Sequence, residues 1–107
     1  MHELIFTPAA NTDLIEIARQ IELESGSLET SERFVGRVID KCEALAALNS
    51  ILGRPRPELL PDLRSVPFGN YLIFIRYLPS LQQSERLEIV NILHARRDIQ
   101  ALFSKQD

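Results

Sequence analysis

Two hydrophobic periods share this chain, and the positions where one gives way to the other mark its elements. From His2 to Thr7 a weak alternation around Leu4, Ile5 and Phe6 predicts a short strand. At Pro8 the period lengthens. Ala10, Leu14, Ile17, Ala18 and Ile21 recur at helical spacing and predict an amphipathic helix over residues 8–25 with one buried stripe. Thr7 supplies an N-cap hydroxyl, proline suits the first helical position, and Gly26 suits the stop. Phe34, Val35, Val38, Cys42, Leu45 and Leu48 repeat the period, so a second helix is expected from about Leu28 to Leu48, capped by Ser27. So short a turn makes the two helices an antiparallel hairpin, whose apolar stripes must be covered by the rest of the chain.

Residues 53–61 carry Pro55, Pro57 and Pro61, which remove backbone donors and push their preceding residues out of helical geometry, so the stretch reads as an ordered connector. Leu63 to Phe68 reads as an edge-like strand, because Pro67 cannot sit inside a ladder. Gly69 and Asn70 supply a turn into the nearly all-apolar run Tyr71 to Leu78. A polar loop from Pro79 to Arg86 leads to a similar β-branched run, Leu87 to His94. Asp98 is placed to cap a short terminal helix holding Ile99, Leu102 and Phe103. Helices and strands are segregated, which predicts an α+β fold: an N-terminal strand and a helical hairpin packed on a small antiparallel sheet, with a short helix at the end.

Strand 71–78 adds a constraint. One face carries Tyr71, Ile73, Ile75 and Tyr77, the other Leu72, Phe74, Arg76 and Leu78. The hairpin covers one of these apolar faces. The other must be covered by the terminal helix or by a segment of a partner.

At 107 residues the chain can bury one core, so a single domain over residues 1–107 is expected. No apolar run approaches a membrane span, and no basic stretch followed by an apolar core marks a secretory signal, so the expectation is a cytoplasmic protein with no membrane role. A lone cysteine, Cys42, has no partner for a disulfide or a structural zinc site, and no cofactor or metal is expected. The net charge of −3 is unevenly spread. Residues 1–50 hold four bases against nine acids, whereas residues 51–107 hold eight against six, and arginine outnumbers lysine ten to two. Guanidinium is planar and bonds bidentately, so an arginine-rich half suits anionic groups or a protein interface.

Arg64, Arg76, His94, Arg96 and Arg97 lie at or beside the central strands and form the candidate contact surface. Converging guanidiniums would repel one another without an anionic partner, whereas local pairing of Arg96 or Arg97 with Asp98 or Glu88 would make these ordinary surface charges. At the end of an apolar strand, His94 reads as a hydrogen-bonded structural histidine before it reads as a general base. Arg33, Arg37 and Lys41 on the second helix read as a solvated stripe paired with Glu29 and Asp40, and Cys42 as a small core residue. The chain contains no nucleophile motif, phosphate loop or metal-ligand spacing, so no catalytic residue is assigned.

The runs Gly53-Arg54-Pro55-Arg56-Pro57-Glu58-Leu59, Leu63-Arg64-Ser65-Val66-Pro67, Gly69-Asn70-Tyr71-Leu72-Ile73-Phe74 and Leu93-His94-Ala95-Arg96-Arg97-Asp98-Ile99 occur in that order. Together with Phe6-Thr7-Pro8-Ala9-Ala10, Asp13-Leu14 and Leu102-Phe103, the chain resembles a ParE-type toxin of the RelE/ParE superfamily over nearly its whole length. The resemblance implies a type II toxin that is encoded beside an antitoxin, ParD-like in kind, and silenced by it in a hetero-oligomer. It also implies one of two targets. ParE-like members poison DNA gyrase, whereas RelE-like members cut messenger RNA on the ribosome with basic side chains and a tyrosine near the C-terminus. Arg64 and Arg97 fall where the RNA-cutting branch has basic residues, but its tyrosine position is held by Phe103, which cannot move a proton. A gyrase-directed toxin is therefore the expectation. A ribosome-dependent endonuclease using His94 as base, or an inactive binding module retaining the fold, are the alternatives. Direct DNA binding is not expected, because the chain has neither a helix-turn-helix nor net positive charge.

Overall fold

A computed structural model describes residues 2–79 and 85–104. The chain runs β1 (Glu3–Phe6), α1 (Pro8–Ser25), α2 (Leu28–Ala47), β2 (Arg54–Pro55), β3 (Leu63–Phe68), β4 (Tyr71–Leu78), β5 (Arg86–His94) and α3 (Ile99–Ser104). Most of the expected loop between β4 and β5 falls on residues 80–84, outside the described residues. Among the described residues, no helix is long and apolar enough to cross a membrane.

Local chemistry explains the hairpin. Thr7 Oγ1 accepts the Ala10 N–H at 3.0 Å and opens α1. Gly26 closes it at φ 67, a left-handed conformation that a β-carbon disfavours, with its N–H donating to Glu22 O. Ser27 Oγ then accepts the Thr30 N–H at 3.1 Å and starts α2. Helix α2 stops at Ala47, so Leu48 leaves the buried stripe that its spacing suggested and is 50% exposed.

The five strands order as β1-β5-β4-β3-β2. Neighbours from β5 through β2 pair antiparallel, as expected of strands joined by short turns, while β1 joins β5 in parallel. The sequence reading of an antiparallel sheet therefore holds for every pairing except that of β1. The hairpin and three strands separate β1 from β5 in the chain, so no tight turn dictates its direction. The proline-rich connector also contains a strand, β2, which pairs Arg54 with Ser65 and Pro55 with Arg64. Because β2 is two residues long, Pro67 lies past its end, where a missing donor costs nothing.

The outer edge of β5 is shared between a strand and a helix. β1 pairs with residues 86–89 only. Beyond them Thr7 Oγ1 donates to Val90 O at 2.7 Å, and Asp13 Oδ2 accepts from Ile92 N at 2.9 Å and from Asn91 Nδ2 at 3.0 Å. Helix α1 thereby satisfies backbone groups that would otherwise leave a bare edge. The register against β4 also slips here, at a bulge opposite Phe74 and Ile75 that leaves Val90 unpaired across the ladder.

Two apolar clusters sandwich the sheet. Ala10, Leu14 and Ile17 of α1 and Val38, Cys42 and Leu45 of α2 pack on Ile73, Ile75, Leu87, Ile89 and Ile92. On the other face Leu63, Phe74, Val90 and Leu93 surround Phe103 of α3, with Leu59 and Leu60 of the connector beside them. The second face is thus covered by the chain's own terminal helix, with help from a connector turn that periodicity did not mark. Asp98 Oδ1 accepts the Ala101 N–H at the start of α3, as its spacing suggested.

Cys42 is fully buried, and burial, followed by the nearby charge of Glu43, pushes its thiol up to about 12. Since the thiolate is the reactive form, the native chain should resist alkylation at about pH 8 and react promptly once unfolded. Mass spectrometry after brief iodoacetamide exposure checks this; rapid native labelling would contradict it. The linkage has a definite sign. A thiol raised above its unfolded value of 9.0 contributes stability that is lost as pH climbs from there toward about 12.

Candidate functional site

The end of β5 and the turn after it carry three of the five candidate residues. His94 is the last residue of the strand and pairs with Tyr71 across the ladder. Its Nδ1 accepts the Arg96 N–H at 3.1 Å, which places the proton of a neutral ring on Nε2, and its carbonyl accepts the Arg97 N–H at 3.0 Å. His94 therefore shapes the turn that holds Arg96 and Arg97 outward. Both arginines are exposed and make no ion pair among the described residues.

The other two candidates do not join them. Arg64 lies opposite Ile75 and Arg76 opposite Leu63, and cross-strand partners share a face. Ile75 belongs to the hairpin cluster and Leu63 to the α3 cluster, so the two guanidiniums sit on opposite faces of the sheet. Arg64 donates to Leu52 O at 2.9 Å and Gly53 O at 3.0 Å, tying the connector down. Arg76 donates to Glu88 at 2.9 Å, whereas the pairing of Arg96 or Arg97 with Asp98 or Glu88 that the sequence suggested is not found among the described residues. The five candidates do not all converge: three gather at the turn, and strand alternation sends Arg64 and Arg76 to different sides of the sheet.

A row of rings leads up to this turn. Phe68, Phe34, Tyr71 and His94 contact one another in succession, with centroids 5.9, 5.6 and 5.2 Å apart, and the Arg37 guanidinium lies 5.4 Å from the Phe34 centroid. Arg33 pairs with Glu29 at 2.9 Å as the helical spacing predicted, whereas Arg37 turns to the aromatic row. Burial, and then the charge of Glu24, raise the Tyr71 hydroxyl above its ordinary value, which makes it a poorer proton donor near neutrality.

Beside the row an open groove of about 600 Å³ separates α1 from the end of the sheet. Helix α1 contributes Thr12, Asp13, Glu16, Ile17 and Gln20, and the sheet end contributes Tyr71, Ile92, Leu93, His94 and Arg97. Sequence reasoning missed this place. Its one advance signal was the spacing of four that puts Thr12, Glu16 and Gln20 along one side of α1. Among the described residues, no group of His, Cys, Asp and Glu side chains is arranged to hold a metal ion.

A helical hairpin laid across a sheet of this order, closed beneath by a short C-terminal helix, defines a small α+β architecture that known proteins share. The family model for the ParE toxin of the type II toxin-antitoxin system, parDE, matches residues 4–99. The chain therefore belongs to the ParE toxin family. A solved structure of the chromosomal ParDE toxin-antitoxin system from P. aeruginosa superposes with a TM-score of 0.73 at 20% identity, covering 90% of this chain and 98% of that one. That likeness bears on the fold, which is the RelE/ParE-like fold the sequence suggested. No curated protein sequence matches the chain.

Proposed function

We propose that the chain is a ParE-type toxin that inhibits DNA gyrase by binding, acts as one domain in the cytoplasm, and is neutralised by a cognate ParD-like antitoxin in a hetero-oligomer. The antitoxin follows from family membership, and the similar P. aeruginosa structure is itself described as a toxin-antitoxin system. One observation favours binding over RNA cleavage. Cleavage through a 2′-hydroxyl needs one group to take that proton and another to protonate the leaving oxygen. The residue at the tyrosine position, Phe103, has no hydroxyl and is 1% exposed against Phe74. His94 has its Nδ1 engaged by the Arg96 N–H, and Tyr71 is shifted away from neutrality. The basic turn of His94, Arg96 and Arg97 is suited to hold a target and not to move protons. Arg64 and Arg76 are engaged elsewhere, with the connector carbonyls of Leu52 and Gly53 and with Glu88.

Purified toxin in two parallel assays tests the reading. Gyrase supercoiling should be inhibited while ribosome-bound message stays intact; message cleavage with unaffected gyrase would overturn it. Arg97→Ala should raise the toxin concentration needed for inhibition about tenfold or more, equivalent to ~1.4 kcal/mol of lost contact. Because the side chain is exposed and makes no ion pair, the variant's stability should stay within about 0.5 kcal/mol of the parent. Unchanged inhibition would remove Arg97 from the contact surface.

A further inference from the structure

We propose that the line running from Arg37 across the aromatic row to Arg96 and Arg97 contacts the phosphodiester backbone of the DNA that gyrase holds. The proposal rests on the gyrase reading above and deepens it, by assigning part of the toxin's contact to DNA and not to protein.

Arg37, Arg96 and Arg97 are exposed and make no ion pair among the described residues. Arg37 stands at one end of the line, over the Phe34 ring, and the other two follow His94 at the far end. Between these ends the half-buried rings of Phe34 and Tyr71 lie 5.6 Å apart, and Tyr71 and His94 lie 5.2 Å apart. The Tyr71 hydroxyl, raised above its ordinary value by burial, stays protonated at neutral pH and puts no negative charge on the line. A lone carboxylate would engage one end and leave the other unpaired. A repeating anion engages both, and along each DNA strand phosphates recur at roughly 3.4 Å of helix axis, so several fall within the span. The arginine fork also matches phosphate oxygens bidentately.

Carboxylates bound the path. Glu24 acts on Tyr71 from one side, and Glu16 faces Arg97 across the groove. The DNA therefore follows the ring row and stays out of the groove. With a net charge of −3 the chain does not retain free duplex by itself, so the contact forms when gyrase presents the DNA at high local concentration.

The test measures toxin binding to immobilised gyrase, with and without a bound linear duplex, over a range of salt. The parent chain should bind the DNA-loaded enzyme about tenfold tighter than the DNA-free one, and the double variant Arg96→Ala/Arg97→Ala should erase that difference. Both substitutions keep the backbone N–H groups that His94 accepts, so the turn stays in place. Arg97→Ala alone should reduce the salt slope for loaded gyrase by about one, the signature of one lost phosphate contact. At the other end Arg37→Glu should weaken binding to loaded gyrase about tenfold, and Arg37→Lys should keep most of it. Losses of equal size on loaded and DNA-free gyrase would show that these arginines meet protein. That result, an unchanged salt slope, or no effect of Arg37→Glu would overturn the DNA contact and leave the gyrase reading standing. If the parent chain binds neither form of gyrase, both fall.

Discussion

Phe103→Ala is expected to lower the unfolding free energy by about 4 kcal/mol, the usual scale for emptying a fully buried aromatic site. A domain of this size has roughly 5–15 kcal/mol in all, so the variant should melt far earlier and expose apolar surface. The size of the effect comes from geometry. Helix α3 is six residues long, and its one fully buried side chain is Phe103, which meets Phe74 with ring centroids 5.0 Å apart. Without that ring the helix has too little to bury, and the second face of the sheet opens to water. Phe103→Tyr separates stability from chemistry. It restores the hydroxyl of the RNA-cutting branch but buries it where Phe103 has apolar neighbours, at about 1–3 kcal/mol if the hydroxyl finds no partner. Chemical denaturation measures both variants. A loss under 1 kcal/mol for Phe103→Ala would mean that α3 does not cover the sheet.

Asp13→Ala should cost about 3 kcal/mol, more than a helix-surface carboxylate normally contributes. Asp13 Oδ2 serves two donors at once, the Ile92 N–H and the Asn91 side-chain amide, and Asn91 is 6% exposed. Removing the carboxylate leaves both donors without their protein acceptor, and the Asn91 side chain is buried. Asp13→Asn keeps an oxygen acceptor and should lose markedly less. In hydrogen exchange the Ile92 amide should lose protection in Asp13→Ala before the amides paired between β3 and β4 do. Equal loss across the sheet would show that Asp13 acts on global stability alone and not on this edge.

These two residues show how differently the sequence displayed its parts. Phe103 could be placed on the buried side of a terminal helix from the spacing of Ile99, Leu102 and Phe103 alone. Asp13 could not be assigned its role, since a carboxylate on an amphipathic helix looks the same whether it faces water or caps a strand edge. The candidate site divides in the same way. His94, Arg96 and Arg97 come together because they are neighbours in the chain at the end of one strand. Arg64 and Arg76, adjacent in the sheet but out of step by one pleat, part to opposite faces. The groove joins residues about eighty positions apart, and no local pattern announces it.

The sequence by itself determined the helical hairpin, its caps, the apolar strands and the short closing helix, because helix caps, proline positions and hydrophobic periods act between residues a few positions apart. Tertiary structure alone decided that β1 would return parallel to β5, that a fragment of the connector would become β2, that Asp13 would finish the β5 edge, and that α1 and the end of β5 would border one groove. Those outcomes depend on which distant surfaces meet once the core closes, and burial is indifferent to the order in which the chain supplies its parts.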